Sequence, residues 1–90
     1  MLNPASSVRA TQQPTYRRIT THVHDGLDGV LRVVTLLRGR RYRVRDLAVN
    51  VQEGVVASHV SCTVLLGADE HRLLVDRLRR MPSVVSAECA

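Results

Sequence analysis

Between Asp25 and Gly29 the chain reads Asp-Gly-Leu-Asp-Gly. Glycines at such a point let a ligand come close to backbone amides. A helix that starts there offers unpaired N–H groups to a carboxylate. Asp25 or Asp28 can accept from an ammonium group, so the loop has the chemistry to hold an amino acid. The same residues suit an ordinary strand-to-helix turn with a capping Asp, and the two readings stand side by side.

Three other constellations carry chemistry-bearing types. Ser, His, Asp and Cys all occur, but no Gly-x-Ser-x-Gly elbow and no nucleophile–base pair is identifiable, so no catalytic residue is assigned and an enzyme is not expected. His22 and His24 share one face of a strand, and His59 has the matching parity on another. A three-His metal site is thereby geometrically open. No carboxylate or cysteine completes it at an obvious spacing, and polar side chains on a partly exposed face explain the same pattern; neither metal nor cofactor is assigned. Arg38, Arg40, Arg41, Arg43 and Arg45 form a basic cluster. Phosphate contacts would suit it, but the strands lack the aromatic residues on which RNA-recognition sheets stack bases. A solvated helix end or a docking patch for an acidic protein is the better reading, and nucleic acid is disfavoured.

Composition sets the frame for these residues. Ninety residues suit one domain with one modest core. Fifteen Val and eleven Leu stand against two Tyr and no Phe or Trp, a set that favours strands. The net charge is +5, carried by thirteen Arg without a Lys. Two cysteines, Cys62 and Cys89, fit neither a zinc spacing nor a disulfide framework. No run approaches a membrane span, and the N-terminus lacks the apolar core of a signal peptide. A cytoplasmic protein without membrane contact is expected.

The elements follow from periodicity. Residues 1–15, polar with two Pro, read as a flexible tail, and the domain occupies 16–90. Arg18 to His24 alternates, with Ile19, Thr21 and Val23 inward. After the Asp/Gly loop, Val30, Val33, Val34 and Leu37 take the spacing of one helical face, with Gly39 at its stop. The apolar parity changes between Val44 and Leu47, so the second strand is expected from near Asp46. Glu53-Gly54 marks a tight turn. Val56, Val60, Val64 and Leu66, with Ser58 and Cys62 between them, make one face of a long strand. Asp69 is the expected cap of a second helix lined by Leu74, Leu78 and Met81 and ended by Pro82. Ser83 to Glu88 is a last strand. The order strand, helix, strand, strand, helix, strand is that of an α+β, ferredoxin-like βαββαβ domain: a four-stranded antiparallel sheet with two helices on one face. The other sheet face must meet solvent or a partner, and Val55, Ala57 and Leu65 on that parity suggest a partner.

Gly29-Val30-Leu31-Arg32-Val33-Val34-Thr35-Leu36-Leu37, then Arg40-Arg41-Tyr42-Arg43-Val44 and Leu47-Ala48-Val49, resembles the start of an ACT domain. It is most similar to those of the small regulatory subunits of acetolactate (acetohydroxyacid) synthase, of the short single-ACT variety. Arg32-Val33, Leu36-Leu37, Arg40, Tyr42, Val44, Leu47 and Val49 fall in step, and the likeness covers roughly residues 17–88. The family's loop usually reads Asn-x-Pro-Gly where this chain has Asp25-Gly26-Leu27-Asp28-Gly29. The resemblance implies a non-catalytic subunit that forms a homodimer through its sheet and activates the thiamine-diphosphate-dependent catalytic subunit of acetolactate synthase. It also implies a branched-chain amino acid effector, such as valine, between paired domains. The ligand-binding residues expected on this basis are Asp25, Gly26, Leu27, Asp28, Gly29 and Val30. The alternatives are a freestanding ACT-type sensor serving another enzyme and, behind it, a basic nucleic-acid-binding domain.

Overall fold

A computed structural model of the chain describes residues 13–89 apart from 53 and 55. Most of the expected tail, Glu53 of the expected turn and Val55 of the outward-facing set lie outside the described residues. The elements are β1 (Thr15–Val23), α1 (Gly26–Gly39), β2 (Val44–Asn50), β3 (Ser58–Leu66), α2 (Ala68–Arg80) and β4 (Val84–Cys89). The sheet order is β2-β3-β1-β4, antiparallel throughout, so the fold is the ferredoxin-like α+β arrangement that the periodicity predicts. Among the described residues no helix is long and apolar enough to cross a membrane.

The core follows from the two periods. Ile19 and Thr21 on β1 stand directly opposite Cys62 and Val60 on β3, all four buried. Val30, Val33 and Leu37 of α1 and Leu74, Val75 and Leu78 of α2 close over them. Each such aliphatic side chain removed from water contributes about 1.5–3 kcal/mol before the entropy of ordering is counted. Polar contacts then fix the ends. The Arg77 guanidinium of α2 donates to the Tyr42 hydroxyl at 3.2 Å. The buried Ser58 hydroxyl accepts from the Gln52 N–H at 2.8 Å and donates to the Gln52 carbonyl at 3.0 Å, closing the β2–β3 connection.

Four local details differ from the sequence-based expectation. β2 starts at Val44, not near Asp46, because the change of parity is a bulge inside the strand. Val44 pairs with Val64 and Val49 with Val60, so five steps on β2 match four on β3. Asp46 takes up the extra residue in the left-handed region, at φ 53°. The stop of α1 is not glycine either: Gly39 is its last residue, and Arg41 holds the left-handed position at φ 57°. Around it the Arg41 N–H donates to the Arg38 carbonyl and the Tyr42 N–H to the Leu37 carbonyl, a Schellman closure. The cap of α2 is Gly67 rather than Asp69, and its N–H is satisfied by the Glu70 carboxylate at 3.0 Å. Finally, Val56 lies ahead of β3 and is exposed, since the strand begins only at Ser58.

Candidate functional site

The loop after β1 is built by two consecutive left-handed residues, Asp25 at φ 68° and Gly26 at φ 55°. They turn the chain sharply enough for α1 to start against the end of β1. Gly29 sits at the closest approach: a Cβ there would collide with the His24 carbonyl oxygen and lie 3.2 Å from Val23 Cγ2. This position must be glycine for packing, independent of any ligand. The Asp25 carbonyl accepts from the N–H groups of Asp28 and Gly29 at 3.1 and 3.4 Å, and its side chain makes no cap.

The Asp25 carboxylate instead faces the segment before β4. The Ser83 hydroxyl donates to Asp25 Oδ2 at 3.4 Å and accepts from Arg32 Nη1 at 2.8 Å. The His24 N–H donates to the Ser83 carbonyl at 2.7 Å. Ser83 is 1 % exposed, so loop, helix and β4 start are joined through one buried residue.

Of the six loop residues expected to hold a ligand, the structure leaves Asp25, Leu27 and Asp28 open to solvent and Gly26 partly so. Gly29 and Val30 are buried, and Val30 belongs to the core. Leu27 and Leu31, one turn apart, are 56 % and 50 % exposed.

An open groove of about 640 Å³ runs along α1 from this loop, lined by Asp28, Leu31, Arg32, Thr35, Leu36 and Met81. Its size suits a small molecule. The lining has one carboxylate, one guanidinium, one hydroxyl and three apolar side chains. That set complements a zwitterion with an aliphatic group: carboxylate toward Arg32, ammonium toward Asp28. Only Asp28 of these residues is among those expected from the sequence. The signal was nonetheless there, because 28, 31, 32 and 35 repeat at helical spacing on a face different from the core stripe.

The basic cluster lies where α1 hands over to β2. Arg38, Arg40, Arg41 and Arg43 are exposed. Arg45 stacks on the Tyr16 ring, 3.7 Å from its centroid, and lies 3.8 Å from the Asp46 carboxylate. Of the three histidines with matched parity, His22 and His59 are register partners whose ring centroids are 4.8 Å apart, while His24 is exposed beyond the end of β1. Among the described residues no group of three or more His, Cys, Asp or Glu side chains is placed to hold a metal ion. Burial raises the Cys62 thiol above its ordinary pKa of 9.0, against a smaller lowering by the Arg18 charge.

β2 is an edge strand of the sheet, and its Val44 and Leu47 line a small pocket with Val34, Leu37 and Arg38 of α1. Leu47 is nevertheless 47 % exposed and Val49, on the helix side of the strand, 43 % exposed, and Val51 continues the apolar stripe. Comparison of the chain with models of protein families and with curated proteins gives no match.

Proposed function

We propose that the chain is a non-catalytic regulatory module of the ACT type that pairs with a second copy and senses an aliphatic amino acid, as the small subunit of acetolactate synthase. The observation that carries the sensing part is the groove beside the loop after β1, where Asp28 and Arg32 stand one turn apart among Leu31, Leu36 and Met81. Opposite charges at that separation, on apolar walls, favour a branched-chain amino acid over a purely ionic or purely apolar ligand. Pairing is supported by the uncovered edge strand β2, whose unpaired backbone groups and exposed Leu47 and Val49 invite a second strand. Assignment to acetolactate synthase rests on the run Gly29–Leu37 and the Arg40–Val49 segment.

In this reading effector binding in the groove biases the geometry presented to the catalytic subunit. The exposed arginines from Arg38 to Arg43 are the natural contact for an acidic surface on that subunit. The test is reconstitution with the acetolactate synthase catalytic subunit of the same organism. Activity should rise on adding this chain and respond to valine, leucine or isoleucine. Failure to bind or activate that subunit, with intact amino-acid binding, would point to a sensor serving another enzyme.

A further inference from the structure

The sheet face away from the helices carries a row of four register-paired side chains: Asn50 on β2, His59 on β3, His22 on β1 and Ser86 on β4. At its centre the His22 and His59 rings lie 4.8 Å apart between centroids and are tilted by 53°. An imidazole nitrogen binds a divalent transition metal at about 2.0–2.1 Å, which puts the ring centroid about 3.2 Å from the ion. Two such rings at cis angles between square and tetrahedral then have centroids about 4.5–5.2 Å apart. The observed separation falls inside that interval. A tilted cross-strand aromatic contact has a similar spacing, so metal titration is what separates the two arrangements.

A second observation is a hydrogen bond of His22: its Nδ1 and the Ser86 hydroxyl lie 3.2 Å apart. The Ser86 oxygen can accept from Nδ1–H, and in that tautomer Nε2 keeps its lone pair, the outer-shell arrangement that orients metal-binding histidines. His59 is exposed, so an ion can arrive from solvent and complete its coordination with water.

We propose that His22 and His59 chelate a borderline divalent transition-metal ion on the open sheet face, a site independent of the amino-acid groove. Two imidazoles with water fit Cu²⁺ and Ni²⁺ best, with Cu²⁺ tightest and Mg²⁺ and Ca²⁺ rejected. The test uses the full chain and the metals alone. Calorimetric titration with Cu²⁺, Ni²⁺ and Zn²⁺ should give one saturable site per chain, and the Cu²⁺ paramagnetic resonance spectrum should carry splitting from two nitrogens. Outer-shell partners alone are worth about ten- to a hundredfold in metal affinity, so His22→Gln and His59→Gln should each weaken binding by at least about tenfold. Ser86→Ala should weaken it less. His24→Gln, and His71→Gln on α2, where the ring bonds the Ala68 carbonyl at 2.9 Å, should leave it unchanged. The proposal is overturned by absence of saturable uptake, by a spectrum with a single nitrogen, or by binding that depends on His24 or His71 instead. The wild-type spectrum decides the matter even if a variant misfolds.

Discussion

Arg32 donates to the Ser83 hydroxyl at 2.8 Å across 51 residues of chain, and the same hydroxyl donates on to the Asp25 carboxylate. One buried serine therefore sets both the guanidinium in the groove and the carboxylate of the loop. Removing the hydroxyl leaves Arg32 to solvent and Asp25 without its donor. We predict that Ser83→Ala costs about 1–2 kcal/mol of stability, the range for a hydrogen bond involving a charged group that stays partly hydrated. Urea unfolding measures that loss, and amino-acid affinity should fall with it because Arg32 is no longer held.

Gly29 and Gly26 should respond differently to the same substitution. Gly29→Ala forces a Cβ against the His24 carbonyl, a backbone atom that cannot move without shifting β1 against α1. The expected cost is at least about 3 kcal/mol, at the upper end of the overpacking range. Gly26→Ala takes on the left-handed penalty of about 1–2 kcal/mol. Comparing the two unfolding midpoints checks this. Gly29 is accordingly a poor probe of ligand binding, and Asp28→Asn and Arg32→Gln are the informative changes.

Arg41 holds the left-handed position that closes α1, where glycine is the ordinary residue. Arg41→Gly should raise stability by about 0.5–1 kcal/mol, since relief of the strained φ outweighs the added freedom of the unfolded chain. For a domain of this size that amounts to a rise in Tm of about 2–8 °C, readable by thermal melting. An unchanged or lower Tm would mean that the Arg41 side chain contributes more than its backbone costs.

The Cys62 thiol is raised by burial, so the folded state holds its proton at pH values where the unfolded chain has released it. Its contribution to stability is fully present below pH 9.0 and is lost as pH rises through the folded value. Cys62→Ser should flatten that alkaline decline, and denaturant unfolding between pH 8 and pH 11 measures it.

How far the sequence could be read depended on whether a feature is local or distant. Ile19, Thr21 and Val23 alternate, and Val30, Val33 and Leu37 recur at helical spacing, so strands, helices and their inward faces were legible from periods of two and 3.6. The bulge at Asp46 was visible only as a change of parity, since an extra residue in a strand and a late strand start leave the same trace. Arg41 in the left-handed region defeats a rule that looks for glycine, because the Schellman bonds around it outweigh the local penalty. Of the candidate site, the loop was legible from its Gly and Asp residues. The groove was not, since Met81 and the Arg32–Ser83 bond join segments distant in the chain. Likewise the parity of His22 and His59 was readable, whereas their direct opposition needed the β1–β3 register.

Whether the groove beside the loop senses an amino acid is tested most directly by calorimetric titration with valine, leucine and isoleucine, with the solution mass measured in the same buffer. The expected result is a dimer that binds at least one of the three saturably, at about one or two ligands per dimer, and that loses the binding in Arg32→Gln while remaining folded. A chain that takes up none of them, or whose binding is untouched by Arg32→Gln and Asp28→Asn, would contradict it.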